Sequence, residues 1–354
     1  MIRVVVCFTG SVGSQVIRLL AEHPQLDLVG VQVRSEAKDG RDAGELAGIG
    51  PIGIIATRSA DELIALRPDA VLWLGDGWHP DVVARWLRAG VNTYVNLGGW
   101  YLRDQPEYRM LEDACVVGGT TLAAGGNIPG LISDVLPLFV SGYVGNIRQV
   151  RAYQRNHVSD YPSAVQLREG LGFGEPIPEG RAGYPDPVDE AWLSFIHQSA
   201  LMVADGLGVP LDDLRLTKKE FAGARSDLDL APSGLRIPAG TIAGARWTFT
   251  GYSAGRPFYQ LTNEQTAAVG LAPGWRETLD QAQWRVEIDG TPSISVEFTS
   301  SASEGFGKAT VELNAARAVN VIPSLVAAPV GCRSVLDLPF VRGTHVASQP
   351  ECRR

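Results

Sequence analysis

The sequence predicts an α/β protein: an N-terminal Rossmann-type, doubly wound parallel sheet, then a second α+β domain with a mixed or antiparallel sheet. Three observations carry this. The first 35 residues read as strand, glycine turn, helix, strand. Short apolar runs and helical stretches then alternate to about residue 124, and beyond residue 147 long strands with hairpin spacing take over.

Taken in order, Ile2-Arg3-Val4-Val5-Val6-Cys7 is an apolar run of the kind buried on both faces of a parallel sheet. Thr9-Gly10-Ser11-Val12-Gly13 opens a helix whose Val12, Val16, Leu19 and Leu20 share a face, and Leu26 to Val33 is the next strand. Gly53 to Ala56 reads as a short strand. Ser59 and Glu62 have capping-box spacing and start a helix through Leu66. Strands follow at Ala70 to Leu74, Asn92 to Leu97 and Thr120 to Ala124. Between them lie a helix opened by Pro80 and closed by Gly90, and one from Pro106 to Val117 stopped by Gly118-Gly119.

After a helix beginning near Pro129, Ile147 to Arg155 is a long strand and Val188 to Leu207 a long helix. Trp284 to Ile288 and Ile294 to Phe298 alternate apolar and polar residues around Asp289-Gly290, an antiparallel pair. Leu313 to Ala328 is helical and must kink or break at Pro323. The expected division is a dinucleotide-binding domain at 1–137, completed by 313–343, and a substrate-binding and dimerisation domain at 138–312.

Composition narrows the function. With 354 residues, 45% apolar and 20% charged, the chain is long enough for two ordinary globular domains. A net charge of -8 argues against a nucleic-acid partner, which wants clustered Lys and Arg. Cys7, Cys115, Cys332 and Cys352 form no C-x-x-C pair, and neither an H-E-x-x-H metal motif nor a G-x-S-x-G elbow occurs. No leader pattern opens the chain and no apolar run approaches bilayer length, so the expectation is a cytoplasmic protein without membrane contact.

A phosphate can sit at a helix N-terminus if the backbone comes close, and Gly10 and Gly13 permit that approach, with Ser11 and Val12 between them. The first glycine of the G-x-G-x-x-G fingerprint is replaced by Phe8. After the second strand, Arg34, Ser35 and Lys38 offer the donors that a 2′-phosphate wants, favouring NADP with NAD possible, although Glu36 and Asp39 are close by. Ligands of such sheets bind beyond the carboxyl ends of the strands, which brings Gly75, Asp76, Asn96 and Asn127 to the cofactor side. Tyr101, His157 and Tyr161 are the candidate catalytic residues, able to donate to a developing alkoxide or manage the proton of an imine. Trp100, Phe173 and Asn320 are the candidate substrate contacts.

Several segments together carry a specific resemblance: Phe8 to Gly13, Lys38-Asp39-Gly40-Arg41-Asp42-Ala43-Gly44-Glu45-Leu46, Gly125 to Gly130, His157 to Pro162, Gly172 to Gly174, and Ala316 to Pro323. The chain resembles the dihydrodipicolinate reductase-like family, in its branch of 2,4-diaminopentanoate dehydrogenases and native amine dehydrogenases. That resemblance implies an NAD(P)H-binding Rossmann domain, a second domain that builds a homodimer, and reduction of a small carbonyl or imine. It also exposes a departure: the amine dehydrogenases place a glutamate soon after the fifth strand, where this chain reads Asn96-Leu97-Gly98-Gly99-Trp100-Tyr101. The acid could be recruited from Asp104, Asp160 or a water. A non-redox enzyme, isomerase or cyclase, or a ligand-binding protein on the same fold stays open as the alternative.

Overall fold

The computed structural model describes residues 1–75, 77–161, 163–180, 186–279, 284–300 and 306–345. In chain order the first half contains β1 Ile2–Cys7, α1 Ser11–Ala21, β2 Leu26–Gln32, α2 Ala43–Ala47, α3 Ala60–Ala65, β3 Ala70–Trp73, α4 Pro80–Arg88, β4 Asn92–Val95, α5 Tyr108–Gly118 and β5 Thr121–Ala124. Next come α6 Leu136–Ser141, β6 Gly145–His157, α7 Pro187–Leu207, β7 Asp213–Gly223, β8 Leu228–Leu230, β9 Leu235–Ile237, β10 Ile242–Ser253, β11 Arg256–Thr266, β12 Trp284–Thr291 and β13 Ile294–Phe298. Last are α8 Phe306–Asn320, α9 Ile322–Ala327 and β14 Gly331–Arg333.

The chain forms two compact units, Met1–Gly126 with Val311–Arg354, and Asn127–Thr310. In the first, six parallel strands run in the order β2-β1-β3-β4-β5-β14. The strands β1 to β5 are covered on both faces: Val4 and Val6 of β1 join a core with Val16, Leu20 and Leu325, while Val5 and Cys7 join one with Trp73, Trp86 and Leu111. The connection from β2 to β3 passes over β1, so the strand order reverses between β1 and β3, and a crevice opens at their carboxyl ends.

Three sequence expectations change here. Leu19 is 37% exposed, because the inward face of α1 is Gly13, Val16, Ile17 and Leu20. Gly53 to Ala56 makes only an isolated bridge, Asp42 to Ile55. The Asp42 carboxylate claims the N–H groups of Ile52 and Gly53 (3.0 and 2.8 Å), which wraps this segment round α2 instead of laying it in the sheet. Asp289 and Gly290 lie inside β12, and the turn to β13 comes after Thr291.

The second unit holds a six-stranded sheet, β13-β12-β6-β11-β10-β7, in which β6 and β11 pair in parallel and the other pairs are antiparallel. One face is covered by α7 and by a wide helical turn at Leu131–Val135. Tyr259 of β11 donates to the Ser133 carbonyl (2.9 Å), and the Trp247 indole of β10 donates to Asp189 of α7 (2.8 Å).

Candidate functional site

The chain leaves β1 through Phe8 at φ 76, a conformation that glycine adopts at little cost and a bulky residue rarely. Packing holds it there. The Phe8 ring stands edge-on to Trp73 with centroids 4.8 Å apart, and a Cβ on Gly75 would lie 3.6 Å from it, so the ring occupies the mouth of the β1/β3 crevice. Gly13 is obligatory, since a Cβ there would come within 2.0 Å of the Phe8 carbonyl oxygen. Gly10 is the N-cap of α1 and has no side chain to cap it, so the first-turn N–H groups of Ser11, Val12 and Gly13 face outward at the positive end of the helix dipole.

Beyond β2, Lys38 folds back over this turn, its ammonium donating to the Thr9 hydroxyl (2.9 Å). Arg34 and Ser35 stand exposed at the same strand end. Asp76 lies outside the described residues.

At the end of β4, Asn96 is buried and its Oδ1 has no partner. The glycines that follow are explained by Trp78: a Cβ on Gly98 or on Gly99 would come within 2.6 Å of its side chain, and its indole donates to Glu107 (2.6 Å). A glutamate at either glycine would collide with that indole. Sequence reasoning missed both Trp78 and Glu107, which are 29 positions apart and meet only through the fold. Trp100 and Tyr101 line a cavity of about 210 Å³ shared with Tyr108, Cys332, Arg333 and Asp337. On the opposite face of the sheet, Tyr94 is buried and its phenol pushed up to about 12 by desolvation, with Arg317 opposing the shift.

In the second unit, His157 closes β6. Its Nε2 meets the Ser159 hydroxyl at 2.8 Å, while Nδ1 is buried with no partner. Burial and then the Arg276 charge hold the imidazole below its ordinary pKa, Asp160 pulling the other way, so the ring is neutral at pH 7. Arg276 itself is buried and donates to the carbonyls of Arg155, Thr278 and Leu279 at 2.8, 3.0 and 2.6 Å. Tyr161 packs at the edge of the apolar cluster beside them, and burial raises its phenol.

The other expected residues have local roles. Phe173 is fully enclosed in that cluster and presents no surface to a ligand. Asn320 gives its amide oxygen to Thr344 N and Oγ1 (3.0 and 2.9 Å), clamping the C-terminal segment. Asn127 donates to the Thr310 carbonyl (3.1 Å). Its turn is held by Asp134, a fully buried carboxyl whose Oδ2 accepts from Gly130 N and Ser199 Oγ (2.9 and 2.8 Å) and whose Oδ1 has no partner. Among the described residues no cluster of His, Cys, Asp and Glu could hold a metal ion, and no helix is long and apolar enough to cross a membrane.

Two family models match. Residues 2–89 fit the dihydrodipicolinate reductase N-terminus, and residues 131–352 the 2,4-diaminopentanoate dehydrogenase C-terminal domain. An amine dehydrogenase of Streptomyces virginiae is 33% identical over 96% of this chain and 97% of its own length. A 2,4-diaminopentanoate dehydrogenase of Acetoanaerobium sticklandii is 26% identical over 63% of this chain and 59% of its own. The solved amine dehydrogenase of Mycobacterium smegmatis shares the fold over 96% of this chain and 97% of its own, at a TM-score of 0.74 and 20% identity.

Proposed function

The chain belongs to the family of 2,4-diaminopentanoate and amine dehydrogenases, and is an NAD(P)-dependent oxidoreductase; on that premise we propose that it uses NADPH to reduce a small, fairly apolar carbonyl or the imine it forms with ammonia. The residues fit the cofactor. The backbone N–H groups from Ser11 to Gly13 are presented without a side-chain cap, Gly10 leaves open space, and the buried Asn96 Oδ1 is an acceptor suited to a carboxamide. When bound, the nicotinamide supplies the hydride.

The observation that carries the preference for NADPH is Lys38, whose ammonium is anchored to Thr9 directly over the phosphate turn. With Arg34 and Ser35 at the same strand end, it would neutralise a 2′-phosphate. In the second unit the neutral His157, with Ser159 on its Nε2, is the group we assign to move a proton at the substrate nitrogen or oxygen. Tyr161 flanks it, and Tyr101 is the donor available on the first unit. We further assign a homodimer to the second unit and a reducing, cytoplasmic setting, in keeping with the buried free thiols Cys7 and Cys115.

The test is cofactor binding followed by nicotinamide absorbance with ketone, with and without ammonia. Lys38→Ala should weaken NADPH about tenfold, the scale of one charge-assisted contact, and leave NADH nearly unchanged. Failure of the wild type to bind either coenzyme would sink the reading.

A further inference from the structure

Cys115 and Cys332, far apart in sequence, come together where α5 packs on β14. In the strand register Cys332 stands opposite Leu122 of β5, and the Leu122 N–H donates to the Cys115 sulfur. The Cys332 thiol donates to that same sulfur, so the two side chains touch. One turn before Cys115, the Glu112 carboxylate accepts from Cys332 N at 2.7 Å, and a Cβ on Gly331 would come within 2.6 Å of it. Helix and strand are therefore pinned together at the level of both sulfurs. Both thiols are free. Cys115 is fully buried, whereas Cys332 is half-buried and lines the cavity of about 210 Å³ beside Tyr108 and Arg333. The exposed Arg103 and Asp337 form part of the same wall, so the cavity opens to solvent.

We propose that Cys115 and Cys332 are a reversible redox pair that closes to a disulfide when a peroxide enters this cavity. The roles follow from access. A water needs about 10–15 Å³ of such space, so hydrogen peroxide, one oxygen larger, has ample room beside Cys332. The Cys332 thiolate attacks one peroxide oxygen, giving a sulfenic acid and a hydroxide, which takes the Cys115 proton to become water. The Cys115 thiolate then attacks the Cys332 sulfur, the S–S bond forms, and the expelled hydroxide combines with the proton that Cys332 gave up. Two thiols and one peroxide become one disulfide and two waters, and two electrons pass from the sulfurs to the oxygens. Cys115 suits the resolving role, because the hydrogen bond from Cys332 holds it below the ordinary thiol pKa; that bond and burial push Cys332 up. The pair therefore rests reduced in a reducing compartment and answers only to sustained oxidant. A link here ties α5 to the strand through which the chain returns to the first sheet. It stands apart from the coenzyme reading above and does not rest on it.

The experiment uses full-length Cys352→Ser protein, which leaves Cys7, Cys115 and Cys332 as its cysteines. Cys7 lies four strands away in β1 and is the internal control. After hydrogen peroxide and a thiol-blocking step, tryptic mapping should find peptide 110–148 joined to peptide 318–333 with the loss of two hydrogens, and dithiothreitol should separate them. Cys7 should stay reduced. Closing so long a loop should raise Tm by about 5–10 °C over the reduced protein. Cys332→Ser and Cys115→Ala should each lose both the link and the rise. The peptide map decides the matter even if a substitution at the buried Cys115 spoils folding. Cys332 carried to sulfinic or sulfonic acid without a link, a link to Cys7 or between two chains, or both thiols left intact at millimolar peroxide would each overturn the proposal.

Discussion

At the scale of single residues, the contrast between Gly13 and Phe8 says most about the turn. Phe8 tolerates a positive φ because its ring is packed on Trp73, whereas nothing can relieve a Cβ placed 2.0 Å from a backbone oxygen. Gly13→Ala should therefore push α1 off the strand end, costing about 1–3 kcal/mol as an overpacking change and abolishing coenzyme binding, checked by denaturant melts and titration together. Titration separates two other residues. Asp134 has its carboxyl raised from 3.8 to about 6 by burial, against hydrogen bonds from Ser199, Gly130 and Ser133. The folded state therefore keeps a proton that the unfolded chain loses. Its contribution is fully present below about pH 3.8 and is lost as pH rises through about 6, an effect of about 3 kcal/mol. Asp134→Asn should remove that loss, so its Tm relative to wild type should climb between pH 4 and 7; a flat difference would refute the assignment. His157 runs on a lowered pKa, so activity that needs its neutral ring should persist below pH 6.5 and fall only in more acid solution. His157→Asn should abolish that acid limb along with most of kcat.

At the scale of elements, the segment from Lys38 to Leu46 shows what a motif can hide. Asp42 caps α2 through Gly44 and Glu45 N (2.8 and 3.3 Å) and holds the returning segment through Ile52 and Gly53 N. A Cβ on Gly44 would come within 2.2 Å of the Gly50 carbonyl oxygen. The segment is thus a closed loop that presents Lys38 to the Thr9–Gly13 turn, and its legibility as a motif preceded any physical reason for it. Asp42→Ala should loosen the whole loop and weaken NADPH as Lys38→Ala does, but with a lower Tm, which the lysine variant should not show. The parallel strands were readable because both faces are apolar. The buried face of β6 was not: Gln154 and Asn156 point inward while Arg151, Tyr153 and Arg155 point to the other face, so the period-two contrast that marks a buried face disappears. Pro323 behaved as its chemistry requires, with α8 ending at Asn320 and α9 beginning at Ile322 so that the proline falls in its first turn.

At the scale of the whole molecule, each unit has its own sheet and its own apolar core, and the chain returns to the first unit through α9 and β14, whose Gly331 N bonds to the Thr120 carbonyl (3.0 Å). A ligand that binds folded protein stabilises the unit that holds it. At 100 times its Kd a coenzyme adds about 2.7 kcal/mol, which for a unit of this size raises Tm by about 5–10 °C. Because the phosphate turn, Lys38 and Asn96 all belong to the first unit, hydrogen exchange with NADPH should slow most in peptides covering residues 9–14, 34–38 and 95–97. Protection centred on those peptides is the signature expected if the first unit carries the hydride donor. A coenzyme footprint confined to β6 and β11 would contradict that assignment outright.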